Sequence, residues 1–353
     1  MEKRLLSRIK MYLLLIGISF QFFSFAGCAT VAERETSDVK LFWPPPPQKS
    51  RIEYMRSIYS PYDIGITRTW LGRFLDSVFG GEEVEYGFIR PHGVFYSENE
   101  TLFVTDNEGG IVHIMDFKNK RYSFLSKISD NEYLISPIAV AEDPDRNIYV
   151  SDSALNRILV FNVDGKYLFS FGEGLQRPTG LAIDSKNKLI YVSDTIGARI
   201  VAFDLSGGEL YSFGRPGSGD GEFNSPTHIF LGQDGLLYVS DTLNFRVQVF
   251  DKHGRFQFKF GKPGDGSGDM SKPKGVAADS EGHIYVVDSV FETVQIFRRD
   301  GRLLLSFGSA GSGPGNFNIP TGIFIDGKDN IYVVDSYNRR IQIFRYIKHE
   351  EGR

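Results

Sequence analysis

The chain has 353 residues, a single Cys, an aromatic fraction of 14% and a formal net charge of −4. One Cys excludes an internal disulfide framework and a thiolate zinc site. The mildly acidic balance argues against nucleic-acid binding over the whole surface, and the aromatic content excludes a disordered chain. With 38 Gly and 30 Phe, the composition fits many strands joined by many turns, an all-β protein.

The N-terminus reads as a targeting segment. Lys3, Arg4, Arg8 and Lys10 form a basic region opposed only by Glu2, and residues 11–25 are apolar and uncharged. That run is shorter than the roughly 20 residues of a bilayer-spanning helix. The run Phe25-Ala26-Gly27-Cys28 resembles the lipobox of bacterial lipoproteins, with Phe25 where Leu is usual. The resemblance implies a signal peptide over 1–27, acylation of Cys28, export and a membrane anchor. Ala29 follows the Cys, where Asp would retain such a protein at the inner membrane, so an outer membrane is expected in a two-membrane cell. Removing four bases and one acid takes the formal net charge from −4 to −7.

Residues 28–50 read as a tether. Trp43 is followed by four prolines, which favour extended polyproline II and a stiff spacer. Residues 51–58 form a strand with no local partner. Over 67–80, Trp70, Leu71, Phe74, Leu75, Val78 and Phe79 fall on one helical face before Gly80, which predicts a short helix. Together, 51–87 hold a closing strand and a helix.

From residue 88 to 346 one pattern recurs six times. Pro91, Pro137, Pro178, Pro226, Pro273 and Pro320 each open a short apolar strand. A second strand ends in Tyr-Val-Ser-Asp or a variant, at Asp106, Asp152, Asp194, Asp241, Asp288 and Asp335, spaced 46, 42, 47, 47 and 47 residues apart. That period matches the four-stranded blades of a propeller. The sixth unit lacks a fourth strand before the polar tail 347–353. Residues 51–58 are expected to supply it, closing the ring and removing an open sheet edge.

Periodicity sorts the candidate residues. The six aspartates could form a cation-binding ring, but presence in every blade favours carboxylates that accept backbone hydrogens. Arg157, Arg199, Arg246 and Arg340 lie five residues after such an Asp and are expected to contact it, a phosphate ring being the alternative. Phe88, Leu134, Leu175, Phe223, Met270 and Phe317 precede the prolines by three and read as interblade wedges. Gly-rich loops at 214–221, 261–268 and 308–315 lead into strands and lack Gly-Lys-Ser/Thr, so they are not nucleotide loops. Two histidines break the symmetry. His92 follows Pro91, and His228 stands where other units have Gly. They fall in opposite blades near the channel mouth, as candidate ligands or acid–base groups. His113, His253, His283 and His349 read as solvated positions.

The units resemble NHL repeats, on Pro-Thr-Gly-Ile at 320–323, Asn-Ile-Tyr-Val-Val-Asp at 330–335 and Arg-Ile-Gln-Ile-Phe at 340–344. The layout is similar to bacterial NHL-repeat six-bladed propeller lipoproteins. The resemblance implies fold but no reaction. The expected function is a monomeric, extracytoplasmic binding or scaffold module that engages a protein or envelope surface through its loop face. No catalytic residue, cofactor or nucleic-acid partner is expected. The alternative is a metal-dependent lyase or lactonase-like hydrolase acting in the central channel. The six inner strands carry one His and no acid, which disfavours it.

Overall fold

Each repeat folds as one antiparallel blade because its apolar residues alternate along short strands bounded by turn residues. The computed structural model describes residues 39–66 and 87–348. Six sheets follow in chain order, each opening on a proline: Pro91–Tyr96, Pro137–Glu142, Pro178–Asp184, Pro226–Leu231, Pro273–Ala278 and Pro320–Ile325 are the inner strands. Within the first five blades the four strands pair with their sequence neighbours. The fold is therefore an all-β six-bladed propeller. A hairpin of Lys127–Ser129 and Glu132–Tyr133 fills the connection from blade one to blade two.

The core is a set of six interblade layers. One layer joins Phe103, Val112 and Leu125 of blade one to Val140, Val150 and Phe161 of blade two. Blade three's third strand serves two layers, with Phe203 packed toward blade two and Ile200 toward blade four. The six wedges all lie buried, one per layer: Phe88, Leu134, Leu175, Phe223, Met270 and Phe317. Burying such a side chain contributes about 1.5–3 kcal/mol.

The inner strands come very close to one another. A Cβ on Gly93 would stand 2.4 Å from the Ile138 carbonyl oxygen, and one on Gly322 would stand 2.6 Å from that of His92. Glycine is required at both positions by this approach. Hydroxyls lace the ring together: Thr105 donates to the Ile138 carbonyl at 2.9 Å, Ser151 to Thr179 at 2.6 Å, Thr195 to Pro226 at 2.7 Å and Thr242 to Pro273 at 2.7 Å. Thr321 donates to the His92 carbonyl at 2.8 Å and so joins blade six to blade one.

The last blade is completed from the N-terminal side. Ile52–Ile58 pairs antiparallel with Arg340–Tyr346. A register shift between Tyr54 and Arg56 inserts one extra residue into this strand. Side chains alternate along a strand, so the bulge turns Ile52 and Ile58 to opposite faces. Ile52 enters the layer between blades five and six, and Ile58 the layer between six and one.

The proline run, expected as a stiff extended spacer, folds back on the last blade. Phe42–Trp43 adds a fifth strand to blade six, pairing with Glu53 and Ile52. The intervening prolines make a loop in which the Arg51 N–H donates to the Trp43 carbonyl at 2.7 Å. Trp43 packs on Phe307 and Phe344, each at 5.8 Å between ring centroids. Burial of the indole outweighs the extended preference of the prolines, and the propeller unit begins at Lys40. The expected helix over 67–80 and the Cys28 segment lie outside the described residues.

Removing residues 51–58 should lower the melting temperature of the whole propeller, and Ile58→Ala alone should cost about 2–4 kcal/mol. Thermal or denaturant unfolding reads both, and an unchanged transition on deletion would show that the ring closes without the strand.

Candidate functional site

The repeat residues come first, because they set where the channel side chains stand. Each of the six aspartates is fully buried. Each carboxylate accepts from the backbone of the loop entering its own blade. Asp106 takes the Ile89 and Arg90 N–H groups at 2.6 and 3.0 Å, and Asp288 takes those of Ser271 and Lys272 at 2.7 and 3.1 Å. Asp152, Asp194, Asp241 and Asp335 make the same contacts with Ile135, Gln176, Asn224 and Asn318. Burial pushes the Asp241 and Asp335 carboxyls up, although these hydrogen bonds pull the other way.

Arg246 and Arg340 extend this lock. Arg340 donates to Asp335 at 2.7 Å and to the Gly313 and Asn316 carbonyls at 2.8 Å, filling the glycine-rich loop ahead of its blade. Arg246 does the same with Asp241, Ser218, Gly219 and Glu222. Arg199 reaches Asp194 at 3.2 Å and the Gly174 carbonyl at 3.2 Å. Arg157 departs from the expected contact. It pairs with Glu132 of the inserted hairpin instead of Asp152, because that hairpin brings a carboxylate within its reach.

Two of the histidines expected in solvent are packed. His113 is 1% exposed, bonds Tyr122 through Nδ1 at 2.9 Å and faces Asp106 at 3.7 Å. His283 caps Asp279 at 2.9 Å, and its pKa is raised by that hydrogen bond. His253 lies in an exposed turn, and His349 lies outside the described residues.

His92 and His228 meet. Their rings stack at 5.7 Å between centroids, 14° apart in plane. His92 sits in the bulge after Pro91, and His228 takes the register that Gly93 holds in blade one. Opposite blades can bridge the axis this way because the inner strands crowd so tightly at their proline ends. The pair stands at the waist of the channel. His228 is the floor of an axial funnel of about 950 Å³ that opens among the turns between first and second strands. Phe95, Ile183, Phe230 and Phe324 line its wall, and Glu98, Glu100, Asp143, Arg146 and Lys328 its rim.

Desolvation first, then the nearby Lys274 charge, lowers the His92 pKa to about 3. Burial, His92 and Lys274 hold His228 well below its ordinary value as well. Neither Nδ1 atom has a hydrogen-bond partner. At neutral pH the pair is thus two uncharged imidazoles, partly exposed to the channel. Sequence reasoning singled out both, but missed Lys274. It follows Pro273 at the strand-start position that His92 holds in blade one, and its pKa falls to about 8 through burial and the charges of Lys272 and Arg177. Among the described residues no three His, Cys, Asp or Glu side chains gather to hold a metal ion.

Both imidazoles take protons less readily folded than unfolded. The fold therefore loses stability as pH drops from 6.5 toward about 3, where only the unfolded chain gains those protons. His228→Phe keeps a ring at the waist and removes one such group. Its melting temperature relative to the parent should rise between about pH 7 and about pH 4, by the equivalent of about 1–2 kcal/mol after allowance for partial exposure. A difference that does not move with pH would show that the imidazoles charge freely in the fold.

Comparison with known proteins agrees with this architecture. No curated protein matches the chain in sequence. Virginiamycin B lyase from Staphylococcus aureus superposes with a TM-score of 0.55 at 16% identity, over 73% of this chain and 95% of that one. An auxiliary nutrient binding protein from Bacteroides thetaiotaomicron gives 0.58 at 16% identity, over 74% and 70%. Hydrazine synthase from Kuenenia stuttgartiensis gives 0.55 at 18% identity, over 74% and 78%. At such identities the likeness is one of fold. The family model described as a 6-bladed beta-propeller, DUF5128, matches residues 97–213, 223–290 and 271–347. Those segments cover more than half of the sequence, and the chain belongs to that family.

Proposed function

We propose that the protein is a non-catalytic binding module of the cell exterior, anchored by a lipid on Cys28, that captures its ligand in the axial funnel. The observation that carries this reading is the funnel itself. It has the volume of a ligand pocket, apolar walls and a rim of charged groups, with two neutral imidazoles beneath. Such a recess suits an apolar group presented by a protein or an envelope surface, with the rim fixing its orientation. The rim holds Glu98, Glu100, Asp143 and Asp326 against Arg146 and Lys328, so a ligand with a positive edge is favoured.

A lyase or hydrolase reading would draw on the same imidazoles, and virginiamycin B lyase shares the fold. Binding is the stronger reading because the charged groups that act on His92 are Lys274 and Arg177. Both are cations, and with burial they leave His92 too weakly basic to act as a general base near neutral pH.

A photoreactive residue at Gln233, on the funnel rim, should crosslink a discrete partner in living cells. The same residue at the exposed Gln257 of an outer strand should not. Equal yields at both positions would remove the funnel as the binding face. For the anchor, Cys28→Ala should move the protein from the membrane fraction to the soluble one, and lipid labelling that persists in this variant would overturn it.

A further inference from the structure

The opposite mouth of the channel carries a different chemistry. It lies on the side of the glycine-rich loops, and the residues around it are those that flank the six prolines. Of the six that follow a proline, Thr179, Thr227 and Thr321 spend their hydroxyls on neighbouring hydroxyls or backbone. Ile138 is buried and apolar, and His92 stacks at the waist. Lys274 is the sixth. Among the described residues it has no ion pair and no hydrogen bond, yet it is partly buried.

The charged and titratable groups that face Lys274 are few. Lys272 lies two residues before it, and Arg177 comes from the start of blade three. The imidazoles of His92 and His228 come from blades one and four. Among the described residues no carboxylate is paired with these cations. Asp241 and Asp288 lie at the ends of nearby second strands, but they are buried and turned onto the backbone of their own loops. Arg90, at the matching position in blade one, is already paired with Glu108 at 2.9 Å. Lys272 and Arg177 have exposed side chains and, among the described residues, no ion pair. Arg177 also lines a recess of about 520 Å³ together with Thr195, Asn224, Ser225 and Asn244.

An unpaired, partly buried cation beside two others costs free energy unless something anionic joins it. Beside it stands His92, whose neutral imidazole offsets none of this charge. We propose that Lys274, Lys272 and Arg177 form a binding site for a small dianion, carrying phosphate or carboxylate groups, at the loop-side mouth of the channel. The anion takes charge-assisted hydrogen bonds from the three cations. The site is separate from the funnel on the other side of the histidine pair, so either can fail without the other.

Binding also moves protons. Free Lys274 titrates near 8, and a bound dianion restores its preference for the charged form. Near that pH, binding takes up about half a proton per site.

The purified full chain is titrated by calorimetry at about pH 8 with inorganic phosphate, and separately with succinate, each in two buffers of different ionisation enthalpy. The two ligands distinguish phosphate from carboxylate recognition, and saturable binding of either supports the site. Affinity should fall with added salt, and the heat should differ between buffers. Lys274→Met should weaken binding by about tenfold or more, with no buffer-dependent heat. Lys274→Arg should keep most of the affinity but lose the proton uptake, because a guanidinium stays charged in both states. Lys274→Met should also melt no lower than the parent without anion, since it removes an unpaired charge. Failure of both anions to saturate, or equal affinity in Lys274→Met, would overturn the proposal. If Lys274→Met does not fold, proton uptake that persists in Lys274→Arg would overturn it equally.

Discussion

The structure depends on one interaction made six times: a buried carboxylate that ends the second strand of a blade and accepts backbone N–H groups from the loop entering that blade. It reinforces the backbone hydrogen bonds that join the interblade loop to the strand end, such as Ser289 N–H to the Lys272 carbonyl. It also fixes the residue at which each inner strand begins. With the strand starts held in register, the hydroxyl lacing and the close glycine contacts between neighbouring inner strands follow. A buried carboxylate with no such donors would carry a large desolvation penalty. The loops therefore cannot leave it without cost, which makes the lock cooperative with the fold. Where Arg246 and Arg340 join, the same carboxylate also organises the carbonyls of a glycine-rich loop.

The lock gives the channel two unlike ends. At the proline end the inner strands crowd together, and side chains from opposite walls can touch, as His92 and His228 do. Toward the turns between first and second strands the bore widens into the apolar funnel. Charge follows the same axis. The rim of the funnel is mostly acidic, and the loop-side mouth holds Lys272, Lys274 and Arg177, with no ion pair to them among the described residues. The imidazoles stay neutral between the two because burial and the nearby cations both oppose their protonation.

The blade count, the closing strand and the place of the wedges were legible because each is a periodic signal, repeated in chain order. What sequence could not supply falls off that period. The bulge after each proline makes Lys274 look like an ordinary variable position, and its isolation depends on three other blades. His113 reads as a surface residue until Phe88, Tyr122 and Asp106 are placed around it. Trp43 and its prolines have the composition of a spacer. Only the presence of Phe307 and Phe344 on the last blade explains why they fold back. Arg157 shows the same limit, since its partner comes from a hairpin that the other blades lack. His92 and His228 were legible as exceptions to the repeat, but their contact depends on the width of the bore.

The closing strand also bears on how the chain is made. Ile52–Ile58 leaves the ribosome before any blade exists, and its partner Arg340–Tyr346 leaves near the end. Tyr59 and Arg340, which meet in the finished ring, are 281 residues apart. Through most of synthesis the nascent protein is therefore an open arc with two unmatched ends. One is a bulged strand that shows two isoleucines to water, and the other is whichever blade was finished last. Neither end can be satisfied locally, and both are surfaces on which chains associate wrongly. A product cut short in any blade keeps its early strand unpaired. The ring is thus closed only when both ends of the chain are present, and a shortened copy leaves bare the strand edge that residues 340–346 would cover.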